Sequence, residues 1–113
     1  MKCVVSATIP GAVEVPENRR ERARGLLGRT GIDGAMIFPG VTNVHTARMR
    51  FAIDVAFLDE AMTVLRIVTL APWRISPLVR GTRGILECEA GRLADWNVKT
   101  GTRLELPNWT DLT

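Results

Sequence analysis

His45 is the single histidine of the chain, and Asp54 is the carboxylate best placed to orient it. A histidine titrates near neutral pH and serves as a general base when a carboxylate holds its ring, so the two form a candidate acid–base pair. Thr46 adjoins His45 but nothing marks it as an activated nucleophile, and no Gly-x-Ser-x-Gly elbow occurs. The plainer reading of His45 is a ring fixed by hydrogen bonds at the edge of the core.

Asp54 lies within Phe51-Ala-Ile-Asp-Val-Ala-Phe57, where an ionised carboxylate is costly unless a cation or several donors meet it. Arg24, Arg50, Arg66 and His45 are the candidate partners. Such a pair could be a structural lock in the sheet or the polar centre of a pocket, since both arrangements perturb acids.

Arginine supplies 13 of the 15 cations, with Lys2 and Lys99 the others. Its planar fork suits carboxylate and phosphate groups. One cluster is Arg19, Arg20, Arg22 and Arg24. A second is Arg48 and Arg50, and a third is Arg74, Arg80 and Arg83, close to Trp73. If residues 41–50 and 71–84 meet in space, their arginines can hold an anion.

Other chemistries find little support. One histidine and two dispersed cysteines make a poor ligand set for zinc, so no metal and no cofactor are expected. Gly25-Leu-Leu-Gly28 lacks the spacing and the trailing Lys of a phosphate loop. Aromatic residues are 5%, Tyr is absent and no nucleic-acid motif appears, so an anionic small molecule or acidic peptide is the better partner.

The elements that must position these residues follow from hydrophobic patterning. A chain of 113 residues, 46% apolar and 24% charged with net charge +3, suits a single domain with one core. No run approaches the roughly 18 apolar residues of a membrane-spanning helix. Met1-Lys2-Cys3 leads into Val-Val-Ser without an apolar leader segment, so the chain is expected to be cytoplasmic and reduced, its two cysteines buried free thiols.

Residues 2–9 alternate as a half-buried strand with Cys3, Val5, Ala7 and Ile9 on one face. Asn18 and Glu21 have capping-box spacing, predicting a helix over 18–27 that Gly28 or Gly31 ends. Residues 35–38 form a short buried strand. Residues 51–58 and 63–70 form a central hairpin covered on both faces. In 85–90, Leu86, Cys88 and Ala90 alternate against Glu87 and Glu89. A helical turn over 91–97 and a last strand bearing Leu104 and Leu106 complete a core over 2–106, with 107–113 as a tail. The result is an α+β domain: a mainly antiparallel, curled β-sheet or small barrel with one or two short peripheral helices.

Six segments, in order, resemble one family. Arg22-Ala-Arg-Gly-Leu-Leu-Gly-Arg29 is similar to its A-R-G-L-M-x-R opening, and Asp33-Gly-Ala-Met-Ile-Phe-Pro39 to its G-M-L-F-x-F segment. His45-Thr-Ala-Arg-Met-Arg-Phe-Ala-Ile-Asp-Val55 is similar to H-T-x-G-M-R-F-P-I-D-V. Ala71-Pro-Trp-Arg74 matches a P-W-R segment, Ile85-Leu-Glu-Cys-Glu-Ala-Gly91 resembles V-L-E-L-P-A-G, and Val98-Lys-Thr-Gly101 resembles the closing I-x-x-G-D. This is the domain of unknown function 192 family, and the resemblance spans residues 19–106. It implies a small curled antiparallel domain and brings no activity, substrate or cofactor with it. Matching positions are Arg24, Gly25, Gly34, His45, Thr46, Met49, Arg50, Asp54, Trp73, Arg74 and Glu87, and the resemblance implies that some converge. Arg48 stands where the family has Gly, which strains the loop if that position takes positive φ.

These readings point to a binding or accessory module in which Arg24, His45, Arg50, Asp54, Trp73 and Arg74 line a shallow site. Its ligand would be an anionic small molecule or an acidic peptide. Two alternatives stand beside it: a small enzyme using His45 and Asp54, and a protein-interaction domain that docks through a sheet edge or the long connection.

Overall fold

The computed structural model describes residues 2–112. Its strands are β1 (Lys2–Val5), β2 (Ala12–Val15), β3 (Ala35–Pro39), β4 (Ile53–Leu58), β5 (Val64–Leu70) and β6 (Gly84–Glu89). The helices α1 (Arg19–Arg24), α2 (Arg92–Asp95) and α3 (Trp109–Leu112) are short. The strands form one sheet in the order β1-β2-β3-β6-β4-β5, antiparallel at every pairing except β2 with β3. This is a mostly antiparallel α+β fold. The sheet ends on β1 and β5 without closing, so it is an open sheet and no barrel forms.

Near-continuous apolar runs occupy the centre, as strands covered on both faces require. Every residue of β3 and β4 is buried. Strand alternation divides the core in two. Ile37, Ala56, Leu58, Leu86 and Cys88 face Leu93, Val98, Leu104 and Leu112. Met36, Phe38, Ile53, Val55, Phe57 and Ile85 face Leu26 and, from the following loop, Val41, Val44 and Met49.

The α1 N-terminus is built by a displaced capping box. Asn18 Oδ1 accepts from the Glu21 N–H at 2.9 Å, while the Glu21 carboxylate accepts from the Glu17 N–H at 2.8 Å rather than from Asn18. The helix stops earlier than expected because Gly25 takes φ 49, and its N–H donates to the Glu21 carbonyl. A side chain at Gly25 would be strained by this positive φ.

The structure departs from the expected pattern at four further points. The first strand ends at Val5, and its buried phase is reversed. Val4 pairs with Val13 and packs on the core, whereas Cys3 is exposed opposite Glu14 and Val5 is 86% exposed. A one-residue change of register exchanges the two faces of a strand. Only Cys88 is a buried thiol. The final strand is reduced to an isolated bridge between Thr63 and Arg103, although Leu104 is buried and Arg103 and Glu105 are exposed as read. The segment after Pro107, read as a tail, carries α3. Leu112 is buried, and the Trp109 indole N–H donates to the Asp59 carbonyl at 3.0 Å. The indole lies so close over Gly84 that a Cβ there would collide with it.

Candidate functional site

Residues 41–50 and 71–80 do meet, and Thr46 joins them. This fully buried side chain donates to the Ala71 carbonyl at 2.6 Å and accepts from the Arg74 N–H at 2.8 Å. Its own N–H donates to the Arg74 carbonyl, and its carbonyl accepts from the N–H groups of Met49 and Trp73. Val44 and Ser76 add a second tie: the Ser76 hydroxyl accepts from the Val44 N–H, and the Ser76 N–H donates to the Val44 carbonyl. Between these ties His45 and Ile75 form an isolated bridge. A buried hydroxyl on one segment that satisfies backbone groups of the other fixes their relative position.

On one side of this joint lies a cavity of about 190 Å³ between α1, the 41–49 loop and the sheet. Leu26, Phe38, Val44, Met49 and Ile85 give it apolar walls. Arg22 and Arg24, exposed at the C-terminal half of α1, stand with His45 at its rim. Glu87 also lines it.

Glu87 is the polar group that the strand pattern did not single out. It lies on the opposite face from Leu86 and Cys88, as the alternation predicts, but that face is also covered. Its cross-strand neighbours are Met36 on β3 and Val55 on β4, and Glu87 is 5% exposed. No donor among the described residues hydrogen-bonds its carboxyl, and no cation there pairs with it. Among the described residues no fully sealed side-chain oxygen or nitrogen lacks a partner, so the Glu87 carboxyl opens onto the cavity it lines. Burial pushes its pKa up to about 7, because desolvation disfavours the charged form.

His45 also borders a second, shallower groove with Ala47, Trp73, Arg74 and Ile75 on the outer side of the joint. Trp73 and Ile75 are 64% and 76% exposed, and Leu78 nearby in sequence is 78% exposed. Arg48 and Trp73 hold φ 64 and 65, which is unusual for residues with side chains. No acid occurs between Asp33 and Asp54 or between Glu60 and Glu87, so the two joined segments bring arginines and no carboxylates to this surface. That gap in the acids was present in the sequence and is a usable signal.

The six expected site residues therefore divide. Arg24 and His45 line the cavity, while His45, Trp73 and Arg74 line the groove. Arg50 is exposed and borders neither. Asp54 lies on the other face of the sheet. Its Oδ2 accepts from the N–H of Gly91 at 2.9 Å and of Leu93 at 3.4 Å, and its Oδ1 from the Thr69 hydroxyl at 2.7 Å. Asp54 thus caps α2 from a neighbouring strand, with backbone dipoles in place of an arginine. A His45–Asp54 acid–base pair does not form, because the sheet stands between them. Among the described residues no group of three or more metal-ligating side chains converges, and no helix is long and apolar enough to cross a membrane.

Residues 4–106 match the model of a family described as DUF192, an uncharacterized ACR. The chain is 33% identical over 100 residues to a UPF0127 protein of Pyrococcus abyssi, covering 84% of this chain and 86% of that one. It is 28% identical over 101 residues to a UPF0127 protein of Thermococcus sibiricus, covering 84% and 66%. A solved protein of unknown function from Novosphingobium aromaticivorans superposes with a TM-score of 0.72 at 23% identity, covering 92% of this chain and 82% of that one. A Sinorhizobium meliloti structure, described as a candidate transcription regulator, superposes with a TM-score of 0.73 at 26% identity, covering 83% and 80%.

Proposed function

The chain belongs to the DUF192 family, and we propose that it is a binding module for a compact anionic ligand held in the cavity beside Glu87. The observation that carries this reading is a buried carboxyl without a partner among the described residues, at the wall of a cavity rimmed by Arg24 and His45. Structural polar groups in cores are hydrogen-bonded, as Asp54 and Thr46 are here; one left open onto a cavity is the mark of a site. The arginine fork at the rim would take the anion, and the apolar walls would take the body of the ligand. About 190 Å³ is below the roughly 300 Å³ of the smallest drug-sized pockets. It exceeds the cavity of about 150 Å³ that accommodates benzene, so the ligand is a small metabolite. The matching positions Arg24, Gly25, His45, Met49 and Glu87 converge on this cavity, which supports reading it as the family's site.

A thermal-shift screen of small carboxylates and phosphates tests the proposal, since a ligand that binds only the folded state raises its stability. Stabilisation by at least one anion, lost in Arg24→Ala and kept in Arg50→Ala, is expected. No stabilisation by any of them, or a loss equal in both variants, rejects it.

A second reading is favoured by the acid-free surface around Trp73. An acidic peptide with apolar side chains would lie in the outer groove, its carboxylates on Arg74 and Arg48 and an apolar side chain against Trp73 and Ile75. Titration with an acidic peptide and with duplex DNA separates two kinds of polyanion. Peptide binding lost in Trp73→Ala supports this reading, and preference for DNA or no binding overturns it.

A further inference from the structure

We infer that the cavity selects an amphoteric ligand, one whose ammonium group seats on Glu87 and whose acid group reaches Arg24 and His45 at the rim. The inference rests on the cavity being a binding site and goes further by naming the charge pattern of what it takes.

A carboxyl lies on the sheet, the apolar walls of Leu26, Phe38 and Ile85 follow, and the basic groups stand at the rim. A simple acid inserted head first would place its carboxylate against Glu87, with repulsion unless Glu87 holds a proton. A simple amine would have to pass the arginines with no acid group to engage them. A molecule positive at one end and negative at the other satisfies both. Burying a lone carboxylate is costly, and an ammonium returns both the opposite charge and the missing hydrogen bonds.

The surroundings of Glu87 offer no substitute cation. Strands β3 and β4 present Met36 and Val55 beside it. Glu89, two residues along the same strand, accepts from the Ile32 N–H and pairs with Arg92 at 3.6 Å, so its carboxylate is already engaged. The charged or titratable groups facing Glu87 across the cavity are Arg22 and Arg24 from α1 and His45 from the loop, none of them within ion-pairing distance.

Binding of the ammonium is linked to release of the Glu87 proton. Burial raises the Glu87 pKa to about 7, so an ammonium arriving below that pH must displace a proton. Affinity should therefore rise from pH 6 to pH 8 by about tenfold and then level off. An anion that relies on a protonated Glu87 shows the reverse trend.

The test is calorimetric titration of the full chain with a matched set of amino acids, the amines lacking their carboxylate and the acids lacking their ammonium. The amphoteric members are expected to bind at least about tenfold more tightly than either partner, with affinity rising with pH, and Glu87→Gln is expected to abolish both the ammonium preference and the pH trend. Acids that bind as well as amino acids, with Glu87→Gln unaffected, overturn this inference and leave the anion site standing. Amines that bind without regard to Arg24→Ala overturn both, as does a set of which no member binds. Unchanged secondary structure in Glu87→Gln establishes that a lost preference is not lost folding.

Discussion

Asp54 and Glu87 stand one register step apart on paired strands, Asp54 opposite Cys88 and Val55 opposite Glu87, and that step puts their carboxyls on opposite faces of the sheet. The two acids meet opposite fates. Asp54 is saturated by a hydroxyl and two backbone N–H groups and closes the fold at α2. Glu87 has no donor among the described residues and opens onto a cavity. One is part of the structure's stability, and the other is carried against it.

That contrast predicts a pH dependence of stability. In the unfolded chain Glu87 loses its proton near the ordinary value of 4.5, whereas in the folded chain it keeps it up to about 7. The folded state binds more protons between those values, so stability falls as pH rises across this window and is level above it. The contribution lost is on the order of 3 kcal/mol. Glu87→Gln should remove it, leaving a variant more stable than the parent at pH 8 and closer to it at pH 5. Denaturant titrations at both pH values check this, and parallel profiles for the two proteins would show that Glu87 is not desolvated.

Asp54→Ala should destabilise by about 2–4 kcal/mol, because it strands the N–H groups of Gly91 and Leu93 inside the core. Asp54→Asn keeps an acceptor and should cost less. Neither should alter ligand binding at the cavity on the other face beyond what stability explains. A loss below about 0.5 kcal/mol for the alanine variant would show the carboxylate to be unimportant to α2.

Thr46→Val keeps the shape of the buried side chain and removes its hydroxyl. The Ala71 carbonyl and the Arg74 N–H then lose their partner, at a cost of about 1–3 kcal/mol. Hydrogen exchange should accelerate at Trp73, Arg74 and Ser76 while the β4 and β6 amides stay protected, because the joint opens locally. Uniform acceleration across the sheet would place Thr46 in the global core instead.

Arg48 occupies a backbone conformation suited to glycine, at φ 64. Arg48→Gly should raise stability by about 0.5–1 kcal/mol, the relief of strain being partly offset by the freedom glycine gains on unfolding. Arg48→Ala removes the same charge and keeps the strain, so it should show no comparable gain. Equal effects from the two variants would assign the change to charge.

Much of this was legible in the chain. The apolar runs at 35–38 and 51–70 specify buried central strands, and the Asn18-Glu21 spacing specifies where α1 begins, because periodicity and capping are local properties. The apolar run around Asp54 also placed it inside the core, and the family resemblance marked Arg48 as a residue in a glycine's place. The partners of those residues were decided by tertiary structure. Two of the donors that satisfy Asp54 come from backbone beyond β6, and a backbone N–H carries no signature in a sequence; the other is the Thr69 hydroxyl, brought opposite it by strand pairing. The phase of β1 was set by pairing with β2, since four alternating residues at a sheet edge fit either face. Glu87 looked like an outward residue of a half-solvated strand. It became the buried carboxyl of a cavity only because α1 and the 41–49 loop fold over that face, and which faces of a sheet are covered is a property of the assembled chain.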